Sequence, residues 1–415
     1  MIRRVWRHFL SDHLFRNSVY LMMTTGIMGA FGFFFWLICT HIFTPEQIGV
    51  GTTLISAMTF ISFMSLLGFN STFVRVLPTS KNRDNEINTG SVLVIGAAAI
   101  IAIGYVLIAP HITPQLAVIH DNIWYALGFV IAVALASINS LTDSIFVAYR
   151  ATQYNLITDG IVMGGTKLLL PFVFVALGAY GVFASAGLAV SLGMVASILV
   201  LVLRFNYHPQ IKINTQALRD VFHYSFTNYI ANLINIAPTQ FLPIIVISYL
   251  GASTAAYFYL AFMMTNLLYT VAISVSQSLF AEGSYNEHGL KDLLIHSVKI
   301  LAIIMLPAAV ILAVAGPYVL DIFGKAYSAG GSTVLALLAL AAPVVGAYAI
   351  GSTLLRIVRK VKTLIFINCV YAATTLGLSL LWIHGGLVWV AIAWIIGNAV
   401  AALLAFLFIY YRPKS

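Results

Sequence analysis

The stretch "FTPEQIGVGTTLISAMTFISFMSLLGFNSTFVRVLP", residues 43–78, decides the class of fold. It opens on a turn-like corner at Pro45–Gly49 and continues, after Glu46, without a charged residue as far as Arg75. About 20 apolar residues are enough to cross a bilayer as an α-helix, so we predict a membrane-spanning helix here. Four hydroxyl side chains, spaced by four, three and three residues, share one face of that helix: Thr52, Ser56, Thr59 and Ser62.

The rest of the chain repeats this apolar pattern. Of its 415 residues, 61% are hydrophobic and 8% are charged, whereas about a quarter of the residues of a soluble protein are charged. We therefore predict an all-α polytopic membrane protein with about twelve transmembrane helices. The predicted spans are residues 19–42, 48–73, 89–109, 123–148, 161–178, 182–203, 222–249, 253–280, 293–315, 333–355, 363–383 and 387–410.

The two halves of the chain resemble each other weakly. Short patterns recur in the same order at spacings of 204–208 residues, at Phe43 and Gly251, at Pro110 and Pro317, and at Gly181 and Gly385. Such a repeat predicts two six-helix bundles around a central cavity. The predicted segments are a basic cytoplasmic segment 1–16, an N-terminal bundle 17–203, a cytoplasmic linker 204–220, a C-terminal bundle 221–411 and a cytoplasmic tail 412–415.

The basic residues predict the orientation. With the N-terminus in the cytoplasm, all 21 Lys and Arg residues except Lys167 and Lys325 fall in cytoplasmic segments. This excess follows the positive-inside rule, so we predict a multi-pass protein of the cytoplasmic (plasma) membrane with both termini in the cytoplasm. The net charge of +9 then reflects topology and contact with membrane lipid. A nucleic-acid partner is not expected, because the charges are spread over many loops.

Two further spans carry polar stripes at helical spacing. An amide deep in a span is costly unless it meets a partner or water. The stripes either join helices to one another or line a hydrated cavity that contacts sugar hydroxyls. The predicted lining residues are Tyr224, Asn228, Asn232 and Asn235 in span seven, and Asn266, Thr270, Ser274 and Gln277 in span eight.

Three charged residues stand out near or within the spans. Asp143 in span four and Lys167 in span five lie at similar depths, about 10–12 Å from a shared cytoplasmic loop. They form an ion pair, or Asp143 is a proton-coupling group and Lys167 binds substrate. Arg75 is either a cytoplasmic anchor or a cation at the cavity mouth.

The chain lacks the usual catalytic motifs. It has no Walker motif, no Gly-rich dinucleotide fingerprint, no His-x-x-x-His metal pair and no nucleophile elbow. The two cysteines, Cys39 and Cys369, lie in separate spans and predict neither a disulfide nor a metal site. We therefore expect no enzymatic activity, no catalytic residues, no metal and no cofactor.

The opening stretch resembles the first signature of the polysaccharide/oligosaccharide flippases, a family of the multidrug/oligosaccharidyl-lipid/polysaccharide exporter superfamily. Residues 320–357 are similar to the second signature of that family, through Phe323, Gly324, Tyr327, Leu337 and Leu340. The residues that carry the first resemblance are Pro45, Glu46, Gly49, Leu67, Gly68, Phe69, Phe73, Val74 and Arg75.

The resemblance implies a function. Members of this family move polyprenyl-diphosphate-linked glycans from the inner to the outer leaflet by alternating access, for surface polysaccharide biosynthesis. Arg75 and Lys167 are then the expected diphosphate ligands, and glycan-assembly proteins are further expected partners. Two alternatives stay open: a cation-coupled multidrug exporter of the same superfamily, and a membrane glycan-assembly enzyme or scaffold.

Overall fold

The computed structural model describes residues 13–211, 213, 226–285 and 290–410. Eleven of the helices in these ranges are long and apolar enough to cross a membrane, and one bent helix pair brings the number to twelve. The prediction of about twelve spans in an all-α membrane protein is confirmed. The chain forms two compact units.

The first unit, here called the N-unit, comprises the described residues up to Gln47 together with Leu54–Tyr229. In its interior α5 packs against α4 and α7, and α6 packs against α1 and α7. A π-helix, Leu156–Met163, leads directly into α6. The helices of this part of the chain are α1 (His13–Ile42), α2 (Pro45–Ser65), α3 (Phe69–Val76), α4 (Arg83–Ile112), α5 (Ile123–Ala148), α6 (Gly164–Phe174) and α7 (Ala179–Phe205).

The second unit, here called the C-unit, comprises Ile48–Thr53 and the described residues from Ile230 onward. The helix α9 packs against α10, α11 and α12, and α14 packs against α12 and α13. The helices of this part of the chain, of which the first has its first turn in the N-unit, are α8 (Phe226–Leu250), α9 (Ala252–Tyr285), α10 (Leu290–Asp321), α11 (Lys325–Leu340), α12 (Ala342–Ile357), α13 (Val361–Trp382) and α14 (Leu387–Tyr410).

The Pro-Glu-Gln-Ile-Gly corner starts α2 with a capping box. The Thr44 hydroxyl accepts a hydrogen bond from the Gln47 amide, and the Gln47 side chain accepts one from the Thr44 amide. These two bonds satisfy backbone donors that a helix start leaves open. Pro45 fits the first turn because its missing N–H would have no partner there.

The predicted second span, 48–73, is broken into two helices. Leu67 and Gly68 both have positive φ, +51° and +90°, and a left-handed pair ends a right-handed helix. The helix α3 then packs Phe69 and Phe73 into a core that also contains Phe146. Arg75 therefore lies on the exposed face of a separate short helix and not at the end of a continuous span.

The predicted tenth span, 333–355, is the bent pair α11 and α12, whose axes differ by 43°. The bend follows Ala341, just before Pro343 in the first turn of α12. Proline has no N–H and its ring clashes with the preceding turn, which favours a bend at this place.

Local structure recurs in the two halves at a spacing of 208–209 residues. Gly178 and Gly386 each follow a 3₁₀ turn with positive φ (386 − 178 = 208), and Arg150 and Arg359 each take a left-handed conformation after a span (359 − 150 = 209). These matches support the repeat predicted from sequence. In the last span they align the two halves differently from the sequence comparison: Gly386 corresponds to Gly178, whereas the sequence comparison paired Gly385 with Gly181.

The segment that follows α7 is bound to the start of α4. The Asn88 amide accepts from the Tyr207 hydroxyl at 2.6 Å and from the Gln210 amide at 3.0 Å, and donates to the His208 carbonyl. Asp84 pairs with the His208 ring at 3.2 Å. Burial raises the pKa of Tyr207 to about 12. The described beginning of the predicted linker, 204–220, is therefore anchored to the N-unit.

Candidate functional site

The hydroxyl stripe of α2 is mostly inside the protein. Thr52, Ser56 and Ser62 are buried, and the Ser62 hydroxyl donates to the Val133 carbonyl of α5 at 3.1 Å. Thr59 is exposed and bonds the carbonyl of its own preceding turn. The bond from Ser62 to a second helix matches the helix-joining alternative, whereas Thr52 bonds the Gly49 carbonyl of its own helix. The assignment of this stripe to a cavity wall stays a prediction, and Thr59 is the member with an exposed side chain.

The stripes of α8 and α9 are accessible. Asn266 is exposed in the middle of the 34-residue α9. One turn further Thr270 is half-buried, and beyond it Ser274 and Gln277 are exposed. On α8, Asn228 is exposed, and Asn232 and Asn235 are half-buried. Tyr224, the first predicted member of the α8 stripe, lies outside the described residues.

The two predicted diphosphate ligands have different surroundings. Lys167 is half-buried on α6, with its Nζ 4.7 Å from the centre of the Phe35 ring, and lies near Cys39. An ammonium over an aromatic face gains a cation–π interaction. Arg75 is exposed on α3. The structure thus places the two cations on different elements, and their role in diphosphate binding remains a proposal.

Asp143 lies beside another carboxyl group and not beside Lys167. The Asp143 and Asp159 side chains are adjacent, and the Asn139 amide donates to Asp159 at 3.1 Å. The Asn139 side-chain oxygen is buried without a hydrogen-bond partner, next to Gly193 of α7. We call Asp143 and Asp159, with Asn139, the carboxyl cluster. The ion pair between Asp143 and Lys167, one of the two alternatives from sequence, is therefore wrong: the neighbour of Asp143 is Asp159.

The π-helix accounts for the position of Asp159. The Gly164 amide donates to the Asp159 carbonyl, five residues back, as expected for π geometry. The helical segment begins at Gln153, eight residues before the predicted start of span five. Asp159 therefore lies inside the span and is buried, whereas the sequence alone placed it in the cytoplasmic loop.

A second polar cluster joins three helices of the C-unit. The Asn235 amide of α8 donates to the Tyr348 hydroxyl, which donates to the Asn368 side-chain oxygen of α13 at 2.6 Å. Asn368 in turn donates to the Ala231 carbonyl at 2.7 Å. Arg356 of α12 donates to the Asn232 side-chain oxygen at 3.1 Å. We call these side chains the amide–arginine network.

This network offers neutral donors and acceptors with one cation at its exposed end. Tyr348 and Asn368 are buried, Asn235 is half-buried, and Arg356 is exposed. Amides and hydroxyls match the hydrogen-bonding groups of a sugar. A guanidinium matches the paired oxygens of a phosphate or a carboxylate.

Comparison with known proteins identifies the family of this chain. A sequence profile of the family described as polysaccharide biosynthesis protein matches residues 38–330, more than half of the chain. The chain belongs to that family. No curated protein matches its sequence.

Solved structures of the MOP superfamily share the fold of this polysaccharide biosynthesis family member. An inward-facing multidrug resistance MATE family transporter has a TM-score of 0.77 at 16% identity, with 94% of this chain and 97% of the other covered. The lipid II flippase MurJ, in an inward closed conformation, has a TM-score of 0.74 at 16% identity, with 95% and 88% covered. A MOP superfamily transporter from Pyrococcus furiosus has a TM-score of 0.65 at 15% identity, with 95% and 94% covered.

These findings define the class of protein. The chain is a multi-pass membrane protein of the family described as polysaccharide biosynthesis protein, and it has the fold of the MOP superfamily structures. At identities below 25% the solved structures establish its fold and not its substrate.

Sequence reasoning missed several residues of the two clusters in this family member. Asn139 and Asp143 are four residues apart on α5, a spacing that puts them on one helix face and is visible in the sequence. Arg356 was assigned to a loop because the predicted span ended at 355, two residues before the end of α12. Tyr348 gives no sequence signal, since its partners lie on α8 and α13.

Proposed function

We propose that this protein is a transporter that flips a polyprenyl-diphosphate-linked oligosaccharide from the inner to the outer leaflet of the cytoplasmic membrane, by alternating access. A diphosphate with hydrophilic sugars cannot cross about 30 Å of hydrocarbon unaided, because its polar groups would lose water. The protein must therefore replace that hydration with its own donors and acceptors.

The observation that carries this proposal is the exposed Asn266 amide in the middle of α9. A primary amide has two donors and an acceptor with two lone pairs, which hydrocarbon cannot satisfy. Thr270, one turn further, gives its hydroxyl to the Asn266 carbonyl, so it does not satisfy that side chain. An exposed amide at this depth is suited to water or to a hydrophilic headgroup.

The membrane potential favours the proposed direction. Moving one negative charge outward across an inside-negative membrane gains about 2.3 kcal/mol per 100 mV. The carboxyl cluster supplies a group for coupling to a proton or another cation, because two adjacent carboxylates repel each other unless a positive charge lies between them. We propose this coupling role for Asp143 together with Asp159.

The proposal is tested in liposomes. The purified protein is reconstituted with a polyprenyl diphosphate that carries one fluorescent sugar, and membrane-impermeant dithionite is added outside. We expect dithionite to bleach the inner-leaflet probe only when the protein is present. Asn266→Leu should slow this exchange about tenfold, the loss expected for hydrogen bonds to a buried headgroup, and Asn266→Gln should retain most of it.

The carboxyl cluster also favours a second candidate, cation-coupled export of drugs. The same proteoliposomes, loaded with ethidium and given a proton or sodium gradient, test it. Ethidium movement without movement of the labelled lipid would replace the first proposal by the second.

A further inference from the structure

Arg356 is the penultimate residue of α12, yet its side chain reaches back along the helix. Helical side chains point toward the N-terminus of their own helix. The guanidinium accordingly donates to Asn232 of α8. The charge is thus held against a neighbouring helix.

Arg359, three residues later, provides the comparison. It lies beyond the end of α12 with φ of +59° and is exposed. A basic residue just past a span is typical of a cytoplasmic anchor. Arg356 does not follow this pattern, because an anchoring side chain extends toward water and not toward an amide on a neighbouring span.

The guanidinium of Arg356 is held by a neutral partner. Within the ranges that the structure describes, no carboxylate lies within 4.0 Å of it, and its hydrogen bond goes to an amide oxygen. Arginine keeps its charge at all relevant pH values and has five N–H donors. One donor holds Asn232, and the side chain is exposed, so the remaining donors are accessible to a ligand.

The amide–arginine network fixes the acceptor that orients this cation. Asn368 binds the Ala231 carbonyl directly before Asn232, and Tyr348 holds Asn368 at 2.6 Å. These bonds tie α8 to α13 and α12 at the level of Asn232. A guanidinium held in one direction loses little conformational freedom on binding, which favours a two-pronged contact with an oxyanion.

We propose that Arg356 binds an oxyanion of the transported headgroup, with Asn232 as its positioning residue. This inference rests on the proposed function and assigns it a third cation, beside Arg75 and Lys167. The oxyanion belongs either to the diphosphate of the lipid carrier or to the carboxylate of an acidic sugar. Both present two oxygens to the guanidinium fork.

Binding is measured on the full chain in nanodiscs of phosphatidylcholine, a zwitterionic lipid without net charge. Farnesyl diphosphate is titrated and followed by intrinsic tryptophan fluorescence. We expect Arg356→Ala to weaken binding about tenfold or more, and Arg356→Lys, which keeps the charge but not the fork, to weaken it less. The matched control Arg359→Ala removes the same charge three residues away and should change affinity less than about twofold.

The arms of the titration distinguish the sources of the oxyanion. If Arg356→Ala weakens the binding of farnesyl diphosphate, the site belongs to the diphosphate of the carrier. If Arg356→Ala instead weakens the binding of glucuronate, the site belongs to an acidic sugar. If Arg356→Ala and Arg359→Ala bind both probes like the unchanged protein, the inference is wrong.

Failure of this inference differs from failure of the proposed function. Lipid movement in proteoliposomes that is unaffected by Arg356→Ala and Arg356→Lys would overturn the inference and leave the function standing. Arg356-dependent binding by a protein that moves no labelled lipid would support the oxyanion site and contradict the flippase. Arg75→Ala and Lys167→Ala, measured in the same titration, rank the three cations.

Discussion

Asp159 shows how strongly one residue depends on its backbone. The π-helical stretch carries the carboxyl group beside Asp143, and the Asn139 amide holds it at 3.1 Å. Two like charges in contact are stable only with a proton or a cation between them. The carboxyl cluster lies entirely within the N-unit.

Asp159→Asn tests this role at the scale of a single group. The substitution keeps the shape and removes one charge, so the pair no longer needs a counter-charge. We expect lipid movement without a gradient to persist, while its stimulation by a proton or sodium gradient falls at least about fivefold. The measurement is the dithionite assay with and without gradients.

The control for this substitution is Asp121→Asn, which removes an exposed carboxylate between α4 and α5. It should leave gradient stimulation unchanged. Equal stimulation in Asp159→Asn and the unchanged protein would contradict coupling at this pair.

Single residues of the site were predicted from sequence where the signal is local. The stripes of α8 and α9 follow from spacing alone, and Asn232 and Asn235 do take part in a polar network. The partner of Asp143 could not be predicted, because a π-helix changes the register of the span and has no sequence signature. Arg356 was missed because helix ends are uncertain by a few residues.

At the scale of elements, Gly49 explains the corner that opens α2. A Cβ at this position would lie 1.7 Å from the carbonyl oxygen of Ala252, at the start of α9. Only glycine permits this approach. Gly49 and Ala252, which belong to the two corners that sequence comparison matched with each other, are therefore in contact within the C-unit.

Gly49→Ala should push the backbone at position 49 away from Ala252. Because the neighbouring atom is backbone and cannot rotate away, we expect a loss of about 1–3 kcal/mol and a lower unfolding midpoint. The measurement is thermal unfolding of the detergent-solubilised protein, followed by tryptophan fluorescence.

Gly96→Ala on α4 provides the matched control, since a Cβ there has no atom within 4 Å. Alanine is the better helix former, so its midpoint should stay the same or rise. Equal unfolding midpoints for the two variants would show that the backbone around Gly49 accommodates the added methyl group, and would contradict the prediction.

The elements themselves were predictable from hydropathy, but their interruptions were not. The break at Leu67 and Gly68 lies inside an unbroken apolar stretch, and a non-glycine residue in the left-handed region gives no sequence signal. Packing of Phe69 and Phe73 into the core of the N-unit stabilises it. Tertiary packing of this kind overrides local propensity.

At the scale of the whole molecule, the internal repeat is the main organising feature. Turns recur at a spacing of 208–209 residues, although the residues at corresponding positions of the two halves are mostly different. The two halves are therefore more similar in backbone conformation than in sequence. The number of spans and the repeat could be predicted from sequence, because both are set by apolar length and turn residues. The orientation in the membrane remains a prediction based on charge.

Cysteine labelling tests that orientation. In a background with Cys39→Ala and Cys369→Ser, we introduce His384→Cys or Arg204→Cys. The positive-inside rule predicts that a membrane-impermeant maleimide labels position 384 in intact cells, and labels position 204 only after the membrane is permeabilised. The reverse pattern would place the termini outside.

The π-helical stretch at Leu156–Met163 has a consequence for how chain length can vary in evolution. A turn of π-helix holds about one residue more than a turn of α-helix, so deleting one residue there would restore α-helical winding and leave Lys167 near the Phe35 ring. Elsewhere in the spans a deletion turns the residues that follow by about 100° and destroys their packing. Family members that are one residue shorter at this place would then present the same face of the helix beyond it, and would differ only in where the residues around Asp159 point.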